Sequence, residues 1–333
     1  MKQNVNSKDK QWDYDFCKVL ATILVVVAHI TKFYGNKGGV FQMPFTESLN
    51  YITEFIYSFH MPLFIFLSGA IYCEGIGLGK YKDFLAFVKN KCKRLLVPYF
   101  MVGIFYVAPV MIMLNLTEWS FGQYIYQGLI LGLNSRHLWF LWTLFSCFLI
   151  VRIMKKILDK GFVVQILVVA LSFVLAVFSN CFTNTFAIRN IAYYLFYFLL
   201  GYLFHGRKEQ IHKRMERKIY LSIPCFIIII YKILYVDSTI WNIIVAIAGI
   251  LGCYVIGVNI KKSCYNRKLY KMIQKNSFGI YLIHPMIIYA LFYFFRTVNP
   301  YLFCVVVLVV TFIVSYLATE ILRAMKLKWV LGE

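Results

Sequence analysis

Acidic residues are scarce in this chain: 14 Asp and Glu stand against 35 Lys and Arg in 333 residues. Proline is scarce as well, with seven, and no long polar segment, low-complexity tract or internal repeat interrupts the sequence. Only 15% of the residues are charged and 61% are hydrophobic, a balance that excludes a soluble globular domain. Without a polar linker, the length points to one membrane body rather than two domains. Metal and nucleophile signatures are missing too. There is no His-x-x-x-His, no Gly-x-Ser-x-Gly and no phosphate-cradling glycine loop, so no metal site is expected. The nine cysteines include no Cys-x-x-Cys. Most lie in or beside apolar runs and only Cys181 is expected to reach an oxidising side, so they read as small buried fillers and not as a disulfide framework.

What the chain has in abundance is apolar sequence of membrane-spanning length. Such segments recur at roughly 14–34, 52–74, 95–116, 138–156, 161–180, 187–205, 219–236, 239–258, 276–295 and 299–322, which makes ten candidate spans. The fourth is the weakest, because its uncharged core from Leu138 to Val151 is short enough for a re-entrant segment. The first exceeds the apolar core of a signal peptide and lacks a small-x-small exit, so it is expected to remain as a span.

Alternate segments carry the cations. Residues 1–13, 75–94, 152–160, 206–218, 261–275 and 323–333 together hold 28 of the 35 Lys and Arg. The opposite loops hold only Lys32, Lys37, Arg136, Arg189, Lys232 and Arg296. Loops rich in Lys and Arg stay cytoplasmic. The expected fold is therefore an all-α integral membrane protein, a polytopic bundle of about ten transmembrane helices with both termini cytoplasmic. Its parts are a tail at 1–13, a membrane domain at 14–322 and a tail at 323–333. This sorting explains the net charge of +21 by orientation in a lipid bilayer and argues against nucleic acid as a partner. The aromatic content of 19% fits interface belts and packing. Segment 117–136 reads as an interfacial or re-entrant helix on the outer side, first as a connector, with a place beside an acceptor site as the alternative.

Ionisable groups in hydrocarbon are costly and suggest function by default. Lys18 and His29 have ten residues between them in the first run, which puts them about 20° apart around a helix and about 16 Å apart along it. A snorkelling lysine and a structural histidine are the bland alternatives. Asp15 lies three residues before Lys18, close enough to pair with it. In the second run, Ser58-Phe-His60-Met-Pro62 sets another imidazole at a height comparable with His29, and the proline breaks the helix there. Lys91 and Arg94 share a helix face at the cytoplasmic entrance to the third run and are expected to grip a phosphorylated ligand. Arg136 and His137 open the fourth run beside Trp139 and Trp142 and read as an interface anchor. His284, followed by Pro285, lies near mid-membrane in the ninth run.

Asp15-Phe-Cys-Lys18 followed by His29 resembles the first-helix signature of the membrane acyltransferase-3 family. Ser58-Phe-His-Met-Pro-Leu-Phe-Ile-Phe-Leu-Ser-Gly69, His137-Leu-Trp-Phe-Leu141 and Gly279-Ile-Tyr-Leu-Ile-His-Pro285 look like its fucose 4-O-acetylase-like branch. The motifs occur in order over nearly the whole chain. The resemblance implies ten membrane helices and transfer of an acyl group, commonly acetyl from acetyl-CoA, to a sugar hydroxyl. It makes His29 the catalytic histidine, Lys18 its basic partner, and Lys91 and Arg94 the motif on the acyl-CoA side. Lys stands at 18 and 91 where the family more typically has Arg, and an ammonium lacks the bidentate grip of a guanidinium.

The expected function is O-acyl transfer at the plasma membrane, from cytoplasmic acetyl-CoA or another acyl-CoA to a glycan or lipid-linked sugar. In this reading His29 takes the proton from the attacking hydroxyl, with His60 as a relay or orienting group. Lys18, Lys91 and Arg94, with Asp15 beside them, hold the CoA phosphates. Ser58, Ser68, Arg136, His137 and His284 belong to the cavity or its surroundings. The alternative is a polysaccharide exporter whose histidines line a transport path. The lack of internal symmetry in the sequence counts against it.

Overall fold

A computed structural model of the chain describes residues 12–38, 41, 43–235, 238–260, 267–295 and 299–333. Among these residues the structure is helical, with no strand. Eight helices are long and apolar enough to cross a bilayer: α1 (Asp13–Tyr34), α2 (Glu47–Gly77), α3 (Phe84–Met113), α4 (Arg136–Ile153), α6 (Thr185–His205), α9 (Thr239–Asn259), α10 (Lys268–Phe294) and α11 (Pro300–Ala324). The shorter α5 (Phe162–Val177) lies between α4 and α6. Helices α7 (Lys208–Met215) and α8 (Ile219–Tyr235) meet at 105° and together form a ninth candidate span. The protein is a polytopic membrane bundle.

Successive spans run in opposite directions, and hydrogen bonds at each end join the segments that charge alternation assigns to one side. At the basic end, Lys208 Nζ donates to Asp13 at 2.8 Å and Arg152 to the Lys82 carbonyl at 3.1 Å. At the opposite end, Lys37 donates to Glu54 at 2.7 Å and Lys32 to the Tyr289 hydroxyl at 3.3 Å. Gly332 packs against the backbone of Arg94, so the C-terminal segment lies at the same end as the start of α1. Lys2, Lys8, Lys10, Lys261, Lys262 and Arg296 lie outside the described residues.

Two sequence expectations shift. The fourth span, read as the weakest, is long and apolar enough to cross, 18 residues that open with a 3-10 turn, Arg136–Leu138, and continue as the α-helix Trp139–Ile153. The short segment is α5, whose 16 residues cover about 24 Å against a hydrocarbon core of about 30 Å. Segment 117–136 holds a short helix over Phe121–Ile130. Ser120 and Gln123 form a capping box around the single turn Phe121–Gln123, and a π-helical stretch, Tyr124–Ile130, follows.

Proline and glycine explain the local geometry that matters for the site. Pro98 and Pro109 in α3 lack the N–H that the carbonyl four residues back requires. The five residues before each Val-Pro or Ala-Pro step, Cys92–Leu96 and Gly103–Val107, widen into π-helical turns, the kind of adjustment that re-satisfies freed carbonyls in hydrocarbon. Helices α2 and α6 cross with Gly69 against the backbone of Phe198 and Gly201 against that of Phe66. A Cβ on Gly69 would sit 1.9 Å from the Phe198 carbonyl oxygen, and one on Gly201 2.0 Å from that of Phe66. Only glycine permits so close a crossing, and it anchors α2 below its break at His60.

A histidine-lined cavity as candidate active site

Two imidazoles are oriented in the same way, each by the carbonyl four residues before it. In α2, just past the break at Ser58 and Phe59, His60 Nδ1 lies 2.8 Å from the Ile56 carbonyl, which also accepts from the Phe59 N–H at 3.2 Å. In α10 His284 Nδ1 lies 2.8 Å from the Ile280 carbonyl, immediately before Pro285. A carbonyl only accepts, so each Nδ1 carries the proton and each Nε2 keeps its lone pair. His137 is held the other way round: its Nε2 donates to the Leu282 carbonyl at 3.0 Å, which leaves Nδ1 bare. His284 Nε2 and His137 Nδ1 are buried without a hydrogen-bond partner, and so is His29 Nδ1.

His29, His60 and His137 line one cavity of about 430 Å³ in the half of the bundle away from the basic end. That volume falls in the range of a single small-molecule site. Tyr57 sits between two of the imidazoles, its ring centroid 6.3 Å from that of His29 and 5.0 Å from that of His60. His284 is fully buried behind the wall, with ring centroids 5.1 Å from His29 and 6.0 Å from His137. Lys32, Asn134, Arg136, Trp139, Tyr194, Tyr281 and Tyr289 complete the polar and aromatic lining. The Tyr281 hydroxyl donates to the His137 carbonyl, tying α10 to the start of α4.

A second cavity, of about 350 Å³, opens beside the first and shares Tyr57 and Tyr194 with it. Ser58, Asn180, Asn190, Tyr193 and Asn242 give it a surface of hydroxyls, amides and aromatic edges. Ser58 Oγ itself donates to the Phe55 carbonyl at 2.6 Å.

The remaining sequence candidates lie elsewhere. Lys18 at the basic end interacts electrostatically with Asp15 and Arg94, and Gln274 lies beside Asp15. Arg94 is exposed. Lys91 departs from the expected phosphate grip: it is buried, with its ammonium 3.4 Å from the Phe148 ring centroid and within 5.7 Å of those of Tyr81 and Phe87. Its partners are aromatic faces, a favourable contact for a desolvated cation. Ser68 lines neither cavity, and its hydroxyl donates to the Phe64 carbonyl of its own helix. Arg136 and His137 are not an interface anchor; they form part of the first cavity, with His137 buried.

Lys18 and His29 do share a helix face, but the lining of the cavity stops at Val25. Val25 is about 10 Å along α1 from Lys18. Thr22, between them, is fully buried and donates to the Lys18 carbonyl at 2.8 Å.

Sequence reasoning passed over several residues. Tyr57 and Lys32 adjoin named motifs, Tyr57 directly before Ser58 and Lys32 one turn after His29, and that proximity was the available signal. Asp13 was missed in favour of Asp15. It is the more deeply buried carboxylate, accepting from Lys208 at 2.8 Å and from the Tyr254 hydroxyl at 3.0 Å, with His212 Nδ1 at 3.5 Å.

The fold and the cavity define a multi-pass membrane protein that presents oriented imidazoles to a small polar chamber. The sequence matches the acyltransferase domain of the acyltransferase-3 type over residues 11–320. The chain belongs to that family, a family of membrane acyltransferases. It is similar to proteins from Staphylococcus aureus strains MSSA476 and Mu50 named "Probable poly-beta-1,6-N-acetyl-D-glucosamine export protein". The identity to each is 25% over 305 residues, covering 83% of this chain and 82% of the relative. No solved structure matches.

Proposed function

We propose that the protein is an O-acyltransferase of the plasma membrane that moves an acyl group, acetyl in the simplest case, from cytoplasmic acyl-CoA to a hydroxyl of a cell-surface polysaccharide or its lipid-linked precursor. The basic end, with both chain tails, faces the cytoplasm in this reading, and the histidine cavity faces outward. The observation that carries it is the convergence of His29, His60 and His137 on one chamber.

A sugar hydroxyl is a weak nucleophile at neutral pH. His29 removes its proton as the oxygen attacks the thioester carbonyl, and the proton then passes to the departing thiolate, so that ester and free CoA thiol result. His60 orients the hydroxyl by accepting at Nε2. Arg94 and Lys18 hold the donor phosphates at the cytoplasmic mouth, with Asp15 fixing Lys18. Lys91 supports that mouth from within its aromatic box. The donor arm reaches His29 along the face of α1, so the floor at Val25 opens during turnover.

The test uses membranes containing the full chain, labelled acetyl-CoA and the producer's surface glycan. A His29→Ala protein that inserts and folds normally is expected to lose about 10²- to 10⁴-fold in transfer. Undiminished transfer would remove the base assignment.

The relatives' name supports a second reading, export of the polymer. The chamber's size suits one or two sugar units better than a polymer conduit. Deleting the gene separates the two: loss of the glycan itself favours export, and loss only of its esters favours the transferase.

A further inference from the structure

His137 is fastened to α10 by its ring and by its main chain, yet half of its ring is left unused. Three side-chain donors reach carbonyls of α10 just before Pro285: His284 Nδ1 to Ile280 at 2.8 Å, His137 Nε2 to Leu282 at 3.0 Å and the Tyr106 hydroxyl to Ile283 at 3.0 Å. The Tyr281 hydroxyl in turn donates to the His137 backbone carbonyl. Arg136, the residue before, holds a left-handed backbone, φ +52°. That conformation is costly for a residue with a side chain and persists where the surrounding structure fixes it, often at a functional site.

With the proton on Nε2, His137 Nδ1 can only accept. The residue lines the first cavity and is buried, and no group among the described residues donates to that nitrogen. Its neighbours on α10 have already used their protons. Tyr281, with its ring 5.6 Å away, gives its O–H to the main chain, and His284, 6.0 Å away, gives its Nδ1 proton to Ile280. A buried acceptor without a donor is costly, and a packing role needs only the bond to Leu282. His60 Nε2, in the same cavity, can likewise only accept. A reacting hydroxyl brings one proton, which the transferase reading assigns to His29 with His60 beside it. His137 Nδ1 therefore calls for a second O–H.

We infer that His137 is a specificity-determining residue that accepts, through Nδ1, from a second hydroxyl of the acceptor, so that the substrate is a polyol ring presenting two O–H donors to the chamber and not a lone alcohol. This deepens the transferase reading and rests on it for the fate of the first hydroxyl. A site built to hydrogen-bond a hydroxyl rejects the analogue that lacks it, because its own buried polar group is then left unpaired. The contact makes no covalent bond and moves no proton. It selects which unit, and which of its hydroxyls, comes to rest beside His29.

The test is a binding measurement without acyl donor, on the purified full chain in lipid nanodiscs, read by tryptophan fluorescence, since Trp139 lines the cavity. The probes are the methyl glycosides of the sugars in the producer's surface glycan and, for each, its monodeoxy analogues. At least one glycoside is expected to bind, and one of its monodeoxy analogues to bind about tenfold more weakly. In His137→Gln, whose amide nitrogen can take the Nε2 place against Leu282, that gap should shrink to within about twofold, because the partner of the missing hydroxyl is already gone. His137→Asn sets an amide oxygen near the Nδ1 place but falls short of Leu282, so it is expected to lower the Tm and to keep the gap. The two variants thus separate the packing bond from the ligand contact. A gap kept by Gln and lost by Asn overturns the inference. So does the absence of binding by any glycoside, or a native protein in which no analogue is weakened beyond about twofold. Acyl transfer without any such gap sinks this inference alone. A gap that depends on His137, without any acyl transfer, sinks only the transferase reading.

Discussion

The rings of His29 and His284 meet edge-on with centroids 5.1 Å apart, and each carries a buried nitrogen that no protein group satisfies. His284 Nδ1 donates to the Ile280 carbonyl, so its free Nε2 can only accept. No hydrogen bond joins the two rings, and His284 acts on His29 through this edge-on packing contact. His284 is thereby a positioning residue, placed behind the cavity wall. Substituting His284→Asn is expected to lower kcat about 10- to 100-fold with little change in either KM, and to move the acid limb of the pH–rate profile. An unchanged profile and kcat would show that His284 serves packing alone.

Lys91 and Arg94 are expected to behave differently despite sharing a motif. Arg94 is exposed at the basic end, whereas the Lys91 ammonium rests on Phe148. Arg94→Gln should raise the KM for acyl-CoA by about tenfold, the loss of one charge-assisted contact to phosphate. Lys91→Met keeps length and apolar packing, and replacing a buried charge by a matched apolar group is often neutral; the donor KM should stay within about twofold. Initial rates over a range of donor concentration decide it. A larger KM effect at Lys91 than at Arg94 would restore the phosphate role to the lysine.

Val25 is the point where the cavity closes toward Lys18. A thioester arm arriving along the α1 face must pass it. Val25→Trp is expected to depress transfer by about a hundredfold, since small misplacements at a reacting centre have effects of that size, with binding of the acceptor retained. Val25→Ala should leave the rate equal or higher. If the tryptophan protein transfers normally, the donor enters by another route.

Asp13 fastens the start of α1 to α7 and α9. Its carboxylate is nearly fully buried beside Lys208, whose side chain is 13% exposed, and Tyr254 donates to it as well. Removing one partner of a buried pair costs about 3 kcal/mol or more. Asp13→Asn should therefore lower the Tm by several degrees in detergent, and adding Lys208→Met should recover part of the loss. Additive losses in the double variant would show that the two residues act independently.

Much of this architecture is written in single segments. Hydrocarbon thickness acts on each apolar run separately, and inside-positive charge acts on each loop, so the spans and their alternation could be read one at a time. The helical repeat likewise places Lys18 and His29 on one face without reference to any neighbour. Even the orientation of His60 and His284 has a local cause, because each imidazole reaches back to the carbonyl four residues before it on its own segment.

What each face meets is a different matter, decided by residues far away in the chain. Periodicity shows that Lys91 and Arg94 lie on the same side of a helix; it does not reveal that Phe148 waits beneath one of them. The same holds for Asp13, whose partners come from beyond position 200, and for His137, which meets the Leu282 carbonyl of α10. Side-chain direction in a membrane bundle is settled by whichever distant group relieves desolvation, and only packing of the whole chain brings that group within reach.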